Sequence, residues 1–117
     1  ARKGDLLQLE TVAANPQHGV VVSVDGRGAV TLHWPSDPGA ATELEVGAKL
    51  LPDAYTLDDA PKFERFFLVT TGVAPTDVST VVHAAEALAA SGDAQKGDLA
   101  VPRSYDQTSF LVVKEVQ

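Results

Sequence analysis

Between residues 63 and 71 the chain reads Phe-Glu-Arg-Phe-Phe-Leu-Val-Thr-Thr, a short apolar run rich in aromatic and β-branched side chains. A run with so little polar face predicts a strand covered on both sides. The segment that follows changes period. Val78, Val81, Val82, Ala85, Leu88 and Ala89 recur at three- and four-residue steps, the spacing of one face of a helix, while Ser79, Thr80, His83, Glu86 and Ala87 fall elsewhere on the cylinder. Thr76 or Asp77 is expected as the N-cap, its side-chain oxygen accepting from a free backbone N–H, and Asp77 also sits at the positive end of the helix dipole. Gly92 supplies the stop. Valine is a mediocre helix former, but burying one Val or Leu is worth about 1.5–3 kcal/mol against a propensity penalty of at most ~0.7 kcal/mol per residue, so packing decides for the helix.

Elsewhere the period is two. Leu7, Leu9, Thr11 and Ala13 alternate with Gln8, Glu10 and Val12, the pattern of a half-buried strand, and Asn15-Pro16-Gln17-His18 reads as a turn. A second strand over residues 19–24 carries Val20, Val22 and Val24 on one face. A third, over residues 29–34, points Val30, Leu32 and Trp34 inward and Thr31 and His33 outward. Between them Asp25-Gly26-Arg27-Gly28 signals a hairpin, because glycine at two sites permits the positive φ that tight turns need. These three strands are expected to form an antiparallel meander. Residues 35–42 form a surface loop, Leu44, Val46, Leu50 and Leu51 belong to short strand pieces that close the sheet, and residues 55–59 make one more short strand. A final strand covers residues 108–114. Residues 92–107 are polar and irregular, with residues 99–102 packing down locally. There is no internal repeat and no domain boundary. The expected architecture is a single β-rich domain over residues 1–117, mainly β with one helix (α+β). It is an antiparallel β-sandwich or half-open barrel packed by the helix in its C-terminal half.

Composition narrows the function classes. A chain of 117 residues buries roughly 65% of the surface its unfolded form exposes, so it needs no staples. There is no cysteine, which excludes disulfides, thiol nucleophiles and cysteine-based metal sites. The formal net charge is −7 and the sequence pI is about 4.7. That balance argues against nucleic acid, whose binding needs Lys and Arg gathered on one face, and against an anionic membrane surface. No run approaches the ~20 apolar residues of a membrane-spanning helix, and no signal-peptide pattern opens the chain. The chain starts at Ala1 and contains no Met, so an excised or processed piece of a longer protein is expected.

Candidate chemistry is sparse. Of the histidines His18, His33 and His83, only His83 has a carboxylate at ligand spacing, Glu86 one turn away, and a solvated pair on a helix face is the stronger reading. Asp53, Asp58 and Asp59 suggest a carboxylate cluster but lack the spacing and glycine of a calcium loop. The serines lack a Gly-x-Ser-x-Gly setting, and residues 25–28 are too short for a dinucleotide or phosphate loop. No catalytic, cofactor-binding or metal-ligating residue is assigned, and no cofactor is expected. Glu64 and Arg65 are neighbours on opposite faces of a strand covered on both sides, so one of them needs a buried or interfacial partner.

One resemblance adds to this reading. Gly4-Asp5-x-Leu7-x-Leu9, a strand-Asp25-Gly26-strand unit, Trp34-Pro35, Leu44-x-x-Gly47 with Leu51-Pro52, and Phe63-Glu64-Arg65-Phe66 with Leu68-Val69 follow in order. Over residues 4–88 this resembles a bacterial domain-of-unknown-function family. Members are typically appended, outside the membrane, to anti-sigma-factor-like proteins, serine/threonine kinases and other signalling proteins. The resemblance implies a periplasmic or extracytoplasmic β-rich accessory domain with no known chemistry; the helix and the tail beyond it have no matched role. The leading expectation is a non-enzymatic sensing or protein-interaction domain, contacting a protein partner through a sheet edge or through residues 35–42 and 92–107. Two other readings stand beside it. One is a small-ligand hydrolase using His33 or His83 with acidic partners in a cleft; the other is an assembly module whose final strand pairs with a second copy.

Overall fold

A computed structural model of the chain describes residues 4–15, 17–51, 54–57, 62–72 and 74–114. Among these the strands are β1 (Leu6–Leu7), β2 (Glu10–Ala13), β3 (Gln17–Asp25), β4 (Val30–Trp34), β5 (Glu43–Leu44), β6 (Gly47–Leu50), β7 (Tyr55–Thr56), β8 (Phe63–Thr71) and β9 (Asp106–Val113), with one helix, α1 (Val78–Ser91), between β8 and β9. The expected class is the one seen: mainly β, antiparallel, with a single helix, and among the described residues no barrel closes.

The longest apolar runs occupy the middle. β3 pairs antiparallel with β8 along its whole length, His18 opposite Thr71 and Asp25 opposite Glu64, so β4 and β5 must share the other flank of β3. β9 pairs with the outer side of β8, from Phe63 opposite Val113 to Thr70 opposite Asp106. The result is a five-stranded antiparallel sheet with β9 at one edge.

Each face of that sheet has its own core. On one, Val20, Val22 and Val24 of β3 and Phe63, Phe67 and Val69 of β8 pack against Val78, Val81, Ala84, Ala85 and Leu88 of α1, with Ala94 and Leu99 extending the contact. The helix face follows the sequence reading, but Val82 and Ala89 are only partly buried while Ala84 is inside. Asp77 is the N-cap, yet its carboxylate bonds no backbone N–H; it accepts from the Ser79 hydroxyl at 3.1 Å and the Thr80 hydroxyl at 2.7 Å. Gly92 ends the helix at φ 79°, its N–H donating to Ala89 O.

The second face is covered by two small antiparallel ribbons, β1 with β7 and β2 with β6. Leu9 and Leu51, joined by a backbone bond of 2.8 Å, pack with Val21 and Phe66 beneath them. The period-two reading of residues 7–13 has the correct phase, since Leu9, Thr11 and Ala13 are buried and Glu10 and Val12 exposed. Its partner differs from expectation. The meander is limited to β3 and β4, because both flanks of β3 are already occupied and residues 6–13 cross the face to pair with β6 and β7 instead. Gln17 and His18 likewise belong to β3 rather than to a turn, and Pro16 lies outside the described residues.

The hairpin between β3 and β4 is built on Asp25. Its Oδ1 accepts the N–H of Arg27 and of Ala29, both at 2.9 Å, and of the two glycines only Gly28 takes a positive φ, 86°. Beyond the hairpin a register shift between Val21 and Val22 brings Trp34 opposite Val21. The shift turns Trp34, expected inward beside Leu32, to the second face, while His33 keeps its alternation with Leu32 and lies on that same face, which is covered by the ribbons instead of facing outward.

Candidate functional site

Where the ribbons cover the sheet, a line of polar side chains is trapped. Phe66 pairs with Ser23, and Glu64 with Asp25, so Ser23, Asp25 and Glu64 emerge on the face that carries Phe66, and none of the three is exposed to solvent. His33 reaches the same line, its Nε2 2.7 Å from Ser23 Oγ, and its ring lies edge-on to Tyr55 at 4.7 Å and tilted against Phe66 at 5.2 Å. Burial among these rings lowers the His33 pKa from 6.5 to about 4, so the imidazole is neutral near pH 7. Lys114, following β9, is also buried and places Nζ 3.3 Å from Glu64 Oε1.

Desolvation raises the Glu64 pKa above its ordinary 4.5, against the opposing pull of Ser23 and Lys114. Ser23 Oγ lies 2.7 Å from His33 Nε2, and which of the two donates depends on the imidazole tautomer. Neither Glu64 oxygen has a well-formed hydrogen bond among the described residues, and Ser23 together with the ion pair to Lys114 offsets its burial. The order along this line is imidazole, hydroxyl, carboxylate. In a nucleophilic triad the imidazole stands between the other two.

Arg65 projects to the opposite face, where it pins the segment after the helix. It donates to Ala94 O at 3.1 Å, Gly97 O at 2.7 Å and Ser109 Oγ at 2.8 Å, lies 3.7 Å from Asp98, and stacks over the Phe67 ring at 4.7 Å. The expectation of a buried partner for Glu64 or Arg65 thus applies to both residues. Gln107 completes the pinning: its amide donates to Leu99 O and accepts from Leu99 N–H, at 2.8 and 2.9 Å. Residues 92–107 are consequently irregular in shape but tied to the sheet.

The third feature is the β9 edge. Among the described strands only β8 pairs with β9, and residues 107–113 contain no charge, proline or glycine. Natural edges are usually blunted by such residues. Phe110 stacks on Phe66 with centroids 4.9 Å apart, yet stays 53% exposed. Beside it, between β2 and the β8–β9 pair, lies a cleft of about 240 Å³ lined by Leu9, Leu51, Phe66, Leu68, Thr108 and Phe110, among others. Ser23, His33 and Glu64 do not line it.

The remaining sequence candidates stay apart. His18, in β3, bonds Thr42 Oγ1 through Nδ1 at 2.9 Å; His83 and Glu86 are exposed on α1. Asp53, Asp58 and Asp59 lie outside the described residues, and among those described no group of three or more His, Asp or Glu is placed to hold a metal. Among the described residues no helix is long and apolar enough to cross a membrane. Sequence reading found the Glu64–Arg65 anomaly but not Ser23, His33 and Lys114 beside it; the available signal was a serine inside a valine run and a histidine two residues before a proline in the next strand. Comparison of the chain with protein-family models, curated proteins and solved structures returned no match.

Proposed function

We propose that this domain is a protein-interaction or sensing module of a bacterial signalling protein, acting outside the cytoplasm, and that its contact surface is the edge strand β9. One observation carries the contact surface: residues 107–112 offer an extended edge without charge, proline or glycine to which a partner strand can add. Strand addition draws affinity from main-chain hydrogen bonds and specificity from alternate side chains, and both are present in β9 and the cleft beside it. The extracytoplasmic setting is supported by the resemblance of residues 4–88. Residues 92–107, held by Arg65 and Gln107, serve this reading as a frame for β9.

Site-specific photocrosslinking in the native host tests the contact surface. A photoreactive residue at position 111 is expected to give a discrete protein adduct that the same residue at exposed position 83 does not. Adducts of equal yield from both positions, or none from 111, overturn the reading.

A further inference from the structure

We infer that the cleft between β2 and β9 is the specificity pocket for the added strand, and that it selects a cationic partner segment carrying an aliphatic side chain. This rests on the strand-addition reading and goes beyond it by naming the occupant. A strand paired to β9 continues the sheet at about 4.8 Å spacing, and every second side chain on it points to the face that carries Phe110. On that face the ribbons stop short, and the opening is walled by Leu9, Leu51, Phe66, Leu68 and Phe110. At about 240 Å³ it falls below the ~300–1,000 Å³ of small-molecule pockets and suits a side chain rather than a free ligand.

Charge decides between the possible strands. The one charged residue lining the cleft is Glu10, exposed on β2, and the chain as a whole carries −7. A second copy carries the same net −7 and offers no Lys or Arg along residues 106–113, whereas a Lys or Arg two residues from the inserted side chain falls on the side of the sheet that carries β2 and Glu10. The occupant is therefore an extended partner segment of the pattern cation, x, aliphatic, x, cation.

The probe is the capped octapeptide Thr-Thr-Lys-Thr-Leu-Thr-Lys-Thr, titrated into the 117-residue chain and followed by backbone amide NMR. Shifts are expected in β9 and in residues 9–11. Replacing the peptide leucine by aspartate is expected to weaken binding by roughly tenfold or more, the loss of one buried aliphatic group. Replacing both lysines by glutamates weakens it too, and the surface variant Glu10→Lys, whose spectrum reports that it is folded, narrows or inverts that preference. Equal binding of all three peptides at β9 overturns the pocket and leaves strand addition standing. No shift at a peptide concentration of about 1 mM, the scale of weak binding, overturns the inference, as does a concentration-dependent dimer formed through β9.

Discussion

Lys114 Nζ lies 3.3 Å from Glu64 Oε1 in the second core, with both side chains withdrawn from water. The pair joins the residue after the edge strand to the central strand, and with Ser23 it offsets the burial of a carboxylate whose oxygens lack good hydrogen bonds. A buried pair of this kind contributes little relative to an apolar replacement, but losing one member strands the other.

Lys114→Met is accordingly expected to cost about 3–5 kcal/mol, and Glu64→Leu combined with Lys114→Met to cost less than Lys114→Met alone. Urea denaturation at pH 7 of the single and double variants measures both; a double variant less stable than the single one contradicts the assignment.

The two titratable groups on this face give stability slopes of opposite sign. His33 has a lowered pKa, so below its ordinary 6.5 the unfolded chain takes up a proton that the folded chain refuses, and stability falls as pH drops from 6.5 toward 4. Glu64 has a raised pKa, so its contribution is largest below 4.5 and is lost as pH rises from 4.5 through the raised value. In the Glu64→Gln variant Tm is expected to fall on acidification across pH 6.5–4. In the His33→Gln variant that acid fall is removed and the Glu64 slope of opposite sign remains. Identical pH profiles for the two variants would show that these groups do not govern the slope.

Asp25 and Gly28 hold the hairpin by different means. Asp25→Ala removes acceptors for two backbone N–H groups and is expected to cost about 1–3 kcal/mol. Gly28→Ala meets only Ala89 Cβ, at 3.7 Å, so its cost is that of the left-handed conformation, about 1–2 kcal/mol. Thermal unfolding of each variant checks these values; a neutral Gly28→Ala would place the strain elsewhere.

On the helix, Val81→Asp is expected to unfold the domain or detach α1, because Val81 is fully buried against β3 and β8. Val82→Asp is expected to be milder, since Val82 is only partly buried. Far-ultraviolet circular dichroism and Tm distinguish the two, and equal effects would place the helix face differently.

Arg65→Met removes three hydrogen bonds that tie residues 94–109 to the sheet. Faster trypsin cleavage at exposed Lys96 is expected, with amide exchange in residues 93–99 rising more than in β3. Uniformly faster exchange would indicate global destabilisation instead of release of this segment.

The features legible in the sequence are those whose causes lie within a few residues. The run of residues 63–71 is a strand because its own side chains leave no polar face, and α1 exists because its valines and alanines repeat at helical spacing. Asp25 makes its turn through neighbouring amides. Glu64 and Arg65 could be marked as anomalous because charge inside an apolar run needs compensation wherever the run goes. Period two also assigned the correct face to residues 7–13. It could not assign their neighbour, because backbone N–H and C=O groups are the same in every strand, and what kept residues 6–13 off β3 was the occupation of both its flanks by strands distant in sequence. The same non-local packing moved His33 under the ribbons, set Lys114 against Glu64 across two strands, and left β9 as an edge with a cleft at its side. Sequence alone thus determined the main strand segments and the helix, and the apolar side of β2, β3 and α1; the tertiary structure decided which strands meet and which side of β4 is covered, since only closure of the whole sheet selects among equivalent partners.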